Sequence, residues 1–175
     1  MAGANAKRLG ALLVGLVLCQ TVAAVDLAAI SDLSLLPEIP VHNTVDIAQD
    51  GDFNTAIINQ AGDQNLVLAG QFGGNNELTI DQQGVGNRII ALQQETGGTG
   101  IGNAAFIEQI GLDNLVVLEQ VGSGNLANIR QYGEANQALV QQIGNDNLAD
   151  ITQNGYGMSV TVTQIGDSNT ATVVQ

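Results

Sequence analysis

Carboxamide side chains recur along the chain at a spacing that could organise hydrogen bonds over a long distance. Glutamine occupies twelve positions that are eleven residues apart, except for one interval of sixteen. Asparagine stands six residues before the glutamine in every copy but one, where Met158 takes its place. A primary amide both donates and accepts, so amides stacked in register can satisfy one another inside a protein. The pattern therefore predicts ladders of buried amides rather than a reactive centre.

Three residue types define the repeat. The glutamines share the last inward position of each copy: Gln49, Gln60, Gln71, Gln82, Gln93, Gln109, Gln120, Gln131, Gln142, Gln153, Gln164 and Gln175. The asparagines share the first: Asn43, Asn54, Asn65, Asn76, Asn87, Asn103, Asn114, Asn125, Asn136, Asn147 and Asn169. Glycine follows the glutamine by two residues in ten of eleven links: Gly51, Gly62, Gly73, Gly84, Gly111, Gly122, Gly133, Gly144, Gly155 and Gly166. The remaining link, 94–102, is longer and is predicted to be a surface insertion in an arc between strands.

Each copy reads Asn-x-φ-x-φ-x-Gln-x-Gly-x-x, where φ is an apolar residue such as Val45 or Ile47. Strict alternation over seven residues predicts a strand with one buried face, which holds the asparagine, both apolar residues and the glutamine. Gly-x-x predicts an arc, in which glycine takes a positive φ or permits close approach. A right-handed coiled coil shares the eleven-residue period. The internal period of two excludes it, as does a glycine in nearly every copy, which costs about 1 kcal/mol each in a helix.

The apolar positions carry a longer period of two copies. Five of the six even-numbered copies have alanine at the first apolar position, whereas the odd copies mostly have larger residues there. One strand in each of two sheets per turn explains this difference. The sequence therefore predicts an all-β fold: a β-solenoid, or cross-β stack, of twelve short strands in two facing parallel sheets, with 22 residues per turn.

The chain divides into three predicted segments. Residues 1–24 have the basic start, apolar run and small residues of a signal peptide. Lipidation at Cys19 is disfavoured, because Leu18 stands where a small residue is required. Residues 25–42 form a leader that contains two prolines, and residues 43–175 form the solenoid. Cleavage after residue 24 would remove the only cysteine, so the exported chain would hold no disulfide.

Charge excludes two classes of partner. The whole chain has a formal net charge of −13, and removal of Lys7 and Arg8 leaves 2 − 17 = −15. Such an acidic chain is repelled by nucleic acid and by anionic membrane surfaces.

The sequence offers no constellation typical of an enzyme. His42 is the only histidine, and no glycine-rich phosphate loop opens a helix, so neither catalytic residues nor a cofactor are predicted. Asp50, Asp52 and Asp63 fall in arcs and are predicted to be solvated rather than to bind a metal. An alternative function is that of a binding protein: a soluble β-solenoid that binds calcium or ice. Calcium-binding β-rolls repeat every nine residues, and an ice-binding surface would need an outward threonine array, which only the last two copies approach: Thr161, Thr163, Thr170 and Thr172.

The ends and outer surfaces of the predicted solenoid suggest self-association. The last strand is complete at Gln175, so an open edge is expected there, which favours head-to-tail polymerisation. Outward charges are expected to oppose lateral clumping: Asp46, Glu77, Asp81, Glu108, Glu119 and Asp150. Outward apolar residues are either tolerated surface hydrophobicity or a side surface for bundling or docking: Ile57, Leu66, Leu68, Ile90, Leu92, Phe106, Leu115 and Val117.

Residues 43–175 resemble the curlin repeat of bacterial curli fibres, in which Gln-x-Gly-x-x-Asn links paired strands of a 22-residue turn. The family's inward asparagines and glutamines map onto the two sets given above. The resemblance implies export through an outer-membrane secretion pore with accessory proteins. It also implies assembly at the extracellular cell surface, with itself and a second curlin subunit, into amyloid that supports biofilm and adhesion.

Curli contain a major fibre subunit and a minor nucleating subunit, and the copies of this chain resemble both. Residues 54–62, 125–133 and 147–155 resemble the nucleator's Ala-x-Ile-x-Gln-x-Gly pattern, and the leader lacks the glycine-rich start of the major subunit. Residues 76–87 and 159–175 resemble major-subunit repeats, and the last copy lacks the basic residues typical of the nucleator. The nucleator-like minor subunit is the preferred interpretation, and the major subunit is the alternative.

Overall fold

The computed structural model describes residues 42–98 and 100–175, which form twelve β-strands. The predicted signal peptide and residues 25–41 of the predicted leader lie outside the described residues. The strands are β1 Thr44–Asp50, β2 Thr55–Asp63, β3 Leu66–Phe72, β4 Glu77–Val85, β5 Arg88–Gln94, β6 Ala104–Leu112, β7 Leu115–Ser123, β8 Leu126–Glu134, β9 Gln137–Asn145, β10 Leu148–Tyr156, β11 Ser159–Ile165 and β12 Thr170–Val174.

The strands form two parallel sheets of six. The odd sheet runs β1-β3-β5-β7-β9-β11, and the even sheet runs β2-β4-β6-β8-β10-β12. Every strand pairs with the strand two places along the chain, so two strands and two arcs make one turn of about 22 residues. The predicted β-solenoid with two facing parallel sheets is confirmed.

Identical positions stack upon one another through the whole solenoid. Ala105 pairs with Ala127, and Ala127 with Ala149, so alanine meets alanine along the even sheet. The longer link does not disturb this register, because Leu78 on β4 still pairs with Ala105 on β6. The extra residues leave the stack as an exposed excursion.

Most of the strands are longer than the seven residues that alternation predicts. Seven of the twelve, including β2 and β10, have nine residues and continue through the glycine to the residue after it. The reason is that the arcs also stack. Gly133 pairs with Gly155 one turn on, so parallel backbone pairing continues past the end of the alternating segment.

The core lies between the sheets and is one layer thick. The second inward apolar position of the even sheet is a column of buried isoleucines: Ile58, Ile80, Ile107, Ile129 and Ile151. Smaller residues of the odd sheet, such as Ala69 and Ala91, are buried in the same layer. Burial of each isoleucine stabilises the fold by about 1.5–3 kcal/mol, and the alternation of large and small side chains keeps the layer dense.

Candidate functional site

The amides of the repeat lie on the inner side of the two sheets, at both ends of each strand's inward row. Each asparagine immediately precedes its strand, and each glutamine lies near the end of the alternating segment. Eight asparagines, from Asn65 to Asn147, and eight glutamines, from Gln71 to Gln153, are at most 1% exposed. Burial at this level would cost each amide several kcal/mol without hydrogen bonds, so the partners of these groups decide whether the fold is possible.

The asparagines form a ladder in which each side chain bonds to the turn before it. Asn87 Nδ2 donates to Asn65 Oδ1 at 3.1 Å, and the Asn87 backbone N–H donates to the same oxygen at 3.1 Å. The second Nδ2 hydrogen is donated to the following turn, to the carbonyl oxygen of Gly111 at 3.0 Å. One side chain therefore ties together three successive turns, and all of its polar atoms are satisfied.

The glutamines form a ladder of the opposite direction. Gln109 Nε2 donates to Gln131 Oε1 of the following turn at 2.8 Å, whereas asparagine Nδ2 donates to the preceding turn. The other Nε2 hydrogen crosses the core to a backbone carbonyl of the facing sheet, as from Gln71 to Thr55 at 3.0 Å. Glutamine therefore joins the turns to one another and also joins the two sheets.

Backbone partners fix both ladder directions. A backbone N–H can only donate, so Asn65 must place Oδ1, not Nδ2, toward the Asn87 N–H. A backbone carbonyl can only accept, so Gln71 must place Nε2 toward Thr55. The ladders consequently have a polarity that follows the chain, and the two edges of the solenoid are chemically different.

The arc glycines are required because the next turn occupies the space of their side chains. All ten have positive φ, between 88° and 157°. A Cβ on Gly133 would lie 2.1 Å from the carbonyl oxygen of Gly155, and that oxygen accepts the Asn136 amide at 3.0 Å. The glycine column and the asparagine ladder are thus one structure, and a side chain in the column would displace both.

Sequence reasoning missed a second special position, the residue just before the asparagine. It takes the left-handed conformation in most copies, with φ from 53° to 60° at seven residues that are not glycine. Phe53 and Ala135 are among them, although such residues rarely adopt it. The available signal was composition, because the same position carries Gly86, Gly124 and Gly157 elsewhere.

Met158 occupies the asparagine position of β11 and makes the backbone hydrogen bond of that position but not the side-chain ones. Its backbone N–H donates to Asn136 Oδ1 at 3.1 Å, as an asparagine would. Its side chain offers no amide, and its Cε lies 2.5 Å from the place a Gly155 Cβ would take. In most other turns the carbonyl oxygen of the next glycine fills that place. Met158 thus ends the odd asparagine ladder and covers the arc glycine.

The edges of the solenoid leave polar groups open among the described residues. Gln60 Oε1 is buried and has no hydrogen-bond partner there. Asp46 Oδ1 on β1 is also buried without a hydrogen-bond partner among these residues, and burial raises the pKa of this carboxyl above its usual value. Strands β1, β2, β11 and β12 each have a neighbour on one side only.

The outward side chains differ between the two sheets. Of the apolar residues expected on the surface, Ile57 and Phe106 lie on the even sheet and the other six lie on the odd sheet. On the even sheet, Arg130 contacts the Asp150 carboxylate at 3.4 Å and lies 5.8 Å from the centre of the Phe106 ring. Tyr132 donates to Glu108 at 2.7 Å, and this bond raises the pKa of Tyr132. The outward side chains of the even sheet therefore include an ion pair and a tyrosine–carboxylate hydrogen bond, beside exposed apolar residues such as Ile57 and Leu126.

The features expected of the alternative class do not come together. Thr161 and Thr163 project from β11, whereas Thr170 and Thr172 project from β12 of the other sheet, so they form no common array. Within residues 42–98 and 100–175, no group of three histidine, cysteine or acidic residues could hold a metal ion. The same residues contain no helix long and apolar enough to cross a membrane.

The fold and the ladders define the chain as a two-sheet parallel β-solenoid held together by stacked amides, an architecture typical of structural proteins. Comparison with known families supports this class: the curlin-associated repeat matches residues 43–73 and 122–155. The chain is similar to the curlin family over these two segments, and the residues between them continue the same repeat in the structure. Searches of curated proteins and of solved structures returned no significant match.

Proposed function

We propose that this protein is a secreted subunit of extracellular curli-type amyloid fibres, and that copies stack head to tail so that the solenoid of one continues into the next. The minor, nucleating subunit is the preferred role, on the alanine-isoleucine pattern of β2, β8 and β10, and the major subunit is the alternative. By family, the fibre lies at the cell surface, where it serves biofilm and adhesion. Export uses an outer-membrane pore, and the partners are further copies and a second curlin subunit.

One observation carries the stacking proposal. Gln60 Oε1 is a buried acceptor without a described donor, at the edge where the even glutamine ladder begins. Gln60 Nε2 already donates onward to Gln82 at 2.7 Å. Since every glutamine in the ladder donates to the following turn, the group that fits Gln60 Oε1 is a glutamine Nε2 from a preceding turn. Gln175, which accepts from Gln153 at 3.0 Å, presents such a group at the opposite edge.

Backbone pairing supports the same geometry. Parallel strands at both edges present unpaired N–H and C=O groups to a strand that arrives in register. A copy placed with β1 on β11 and β2 on β12 would extend both sheets and all the glutamine ladders at once. Growth of this kind adds the same contacts that already hold the turns together.

Seeded assembly of residues 25–175 tests the proposal. Purified chain is expected to remain soluble at first and then to form fibres after a lag, with the 4.7–4.8 Å cross-β reflection. A small fraction of preformed fibre should abolish the lag. A chain that stays monomeric for days at tens of micromolar, without cross-β diffraction, would overturn the fibre proposal.

Deletion of the gene separates the two subunit roles. Loss of surface-anchored fibre together with release of a soluble partner subunit is expected for a nucleator. Loss of all fibre mass would instead assign the major role.

A further inference from the structure

The outward side chains of β3, β5, β7 and β9, called here the apolar face, are mostly hydrophobic. One outward column is apolar across all four strands, where Leu68 pairs with Ile90, Ile90 with Val117, and Val117 with Leu139. The apolar residues of this face are Leu66, Leu68, Phe72, Ile90, Leu92, Leu115, Val117, Val121, Leu139 and Ile143. A cluster of outward apolar side chains around an unbroken apolar column marks a contact surface on a folded chain.

The apolar face is flat around Gly70. Gly70 leaves a gap in one column, and the neighbouring side chains lie across it: a Cβ there would be 3.0 Å from Phe72 Cε2 and 3.3 Å from Leu92 Cδ1. Side chains that lie over the sheet instead of projecting from it suit packing against a second flat sheet, about 10 Å away.

Charge selects a second copy of this chain as the occupant. The only charged outward residues on the apolar face are Arg88 and Glu119, which have opposite signs, and Glu119 accepts from Gln141 at 2.7 Å. The matching strands of the even sheet carry four outward carboxylates against one arginine: Glu77, Asp81, Glu108 and Asp150 against Arg130. Residues 25–175 bear a net charge of 2 − 17 = −15, so two copies repel one another least through the apolar face.

The area of the apolar face decides whether single copies or only stacks of copies can pair through it. Four strands about 4.8 Å apart, each with about 23 Å of outward chain, give roughly 440 Å². A stable interface needs about 800 Å² from each partner. A single pair of copies therefore falls short, whereas a row of stacked copies adds one face after another and exceeds the requirement.

We propose that the apolar face packs against the same face of a second stack of copies, so that the mature fibre contains two solenoids back to back. The inference rests on the proposed head-to-tail stacking, because only a stack presents enough area. It predicts that isolated chains do not dimerise through this face and that pairing appears together with fibres.

A matched pair of substitutions tests the inference through fibre mass per length. Val117→Lys places a charge in the middle of the apolar face, and Asn128→Lys places the same charge on the outside of the even sheet, both at half-buried outward positions. Wild-type and Asn128→Lys fibres are expected to have twice the mass per length of Val117→Lys fibres. Single-stack wild-type fibres, or paired Val117→Lys fibres, would overturn the inference and leave the fibre proposal standing. Absence of wild-type fibres would overturn the fibre proposal itself.

Thiol labelling decides the matter if Val117→Lys fails to assemble. Residues 25–175 contain no cysteine, so Leu139→Cys on the apolar face and Leu126→Cys on the even sheet each introduce a single thiol. The two leucines are 46% and 39% exposed, which makes them a fair comparison. Leu139→Cys should react in the monomer and become at least tenfold slower in the fibre, whereas Leu126→Cys should react in both. Protection in the monomer would mean that another part of the same chain covers the face, and equal reactivity in the fibre would mean that nothing does; either result overturns the inference.

Discussion

The middle turns and the edge turns of the solenoid use the same residues but leave them in different states. Gln109, in the middle, is fully buried with one glutamine donating to it and another accepting from it. Gln60, at one edge, has the same donor bond but a buried oxygen without a described partner. The same side chain is therefore a stabilising contact inside the stack and a receptor at its end.

This difference separates folding from assembly. A change in a middle turn should lower the stability of the single chain, whereas the same change at an edge should lower it less and impair growth. Pairs of equivalent substitutions, one in the middle and one at an edge, test this distinction.

The largest effect is expected from the arc glycines. Gly133→Ala adds a Cβ 2.1 Å from the Gly155 carbonyl oxygen, whereas Gly166→Ala meets nothing closer than the Asn169 amide at 3.8 Å. Both changes strain a positive φ, at about 1–3 kcal/mol, but only Gly133→Ala adds an overlap of about 1–3 kcal/mol more. Denaturant unfolding of the monomer should show this gap. Gly166→Ala should nevertheless stop seeded elongation, because a following turn would meet its methyl group; equal stability losses would contradict the distinction.

The second comparison concerns the glutamine ladder itself. Gln109→Leu leaves Gln82 Nε2 and Gln131 Oε1 without their partner, and each buried unpaired group costs about 1–3 kcal/mol. Gln60→Leu leaves one ladder group unpaired, Gln82 Oε1, so it should cost about half as much. Its main effect should be slower elongation from preformed seeds, because the receptor oxygen has been removed. Unchanged elongation with Gln60→Leu would show that the open glutamine has no part in growth.

The third comparison concerns Met158, the position where an edge departs from the repeat. Met158→Asn would supply the missing amide oxygen and uncover Gly155, so the lag before polymerisation should shorten. Met158→Leu is the matched control, because it keeps an apolar side chain and should leave the lag as it is. A lag unchanged or lengthened by Met158→Asn would mean that the methionine is neutral drift in a terminal turn.

The sequence alone was sufficient for the architecture, because the repeat states it many times. Twelve copies with one period and one inward row leave little freedom in strand number, sheet assignment or register. The longer link could also be identified as an insertion, since Asn103 resumes the pattern after it. Repetition averages out the ambiguity that a single short strand would have.

The parts that could not be predicted depend on direction and on face. Asparagine and glutamine look equivalent in the sequence, and only backbone partners, such as Thr55 for Gln71, show that their ladders run in opposite directions. The apolar residues were expected in the middle copies, and their concentration on the odd sheet was overlooked although the odd and even copies were already predicted to lie in different sheets. The left-handed residue before each asparagine was missed because Phe53 and Ala135 hide its glycine preference.

A smaller effect is expected where strain is local and does not depend on stacking. Ala135 in a middle arc and Ser168 in an edge arc have φ of 55° and 57°. Ala135→Gly and Ser168→Gly should each stabilise the monomer by about 0.5–1 kcal/mol, because glycine adopts this conformation without steric cost. Thermal unfolding should show similar gains in both. A gain confined to the middle arc would mean that stacking, rather than local geometry, imposes the conformation.

The smallest effect is expected at Asp46, whose carboxyl lies on the outer side of the edge strand β1. Its pKa is raised because burial disfavours the charged form, and the residues that face it from β3, such as Leu68 in direct register, carry no charge. A carboxyl with a higher pKa in the folded than in the unfolded state destabilises the fold fully above the folded pKa. That cost disappears as the pH falls through the folded pKa toward the unfolded value, so acid should strengthen this edge.

Asp46→Asn should remove this part of the pH dependence and raise the melting temperature slightly at pH 7. Asp150→Asn is the control: it breaks the contact with Arg130 and should not raise the melting temperature. A melting temperature of Asp46→Asn that follows the wild type at every pH would show that the carboxyl is solvated and that β1 is no weaker than the strands within the stack.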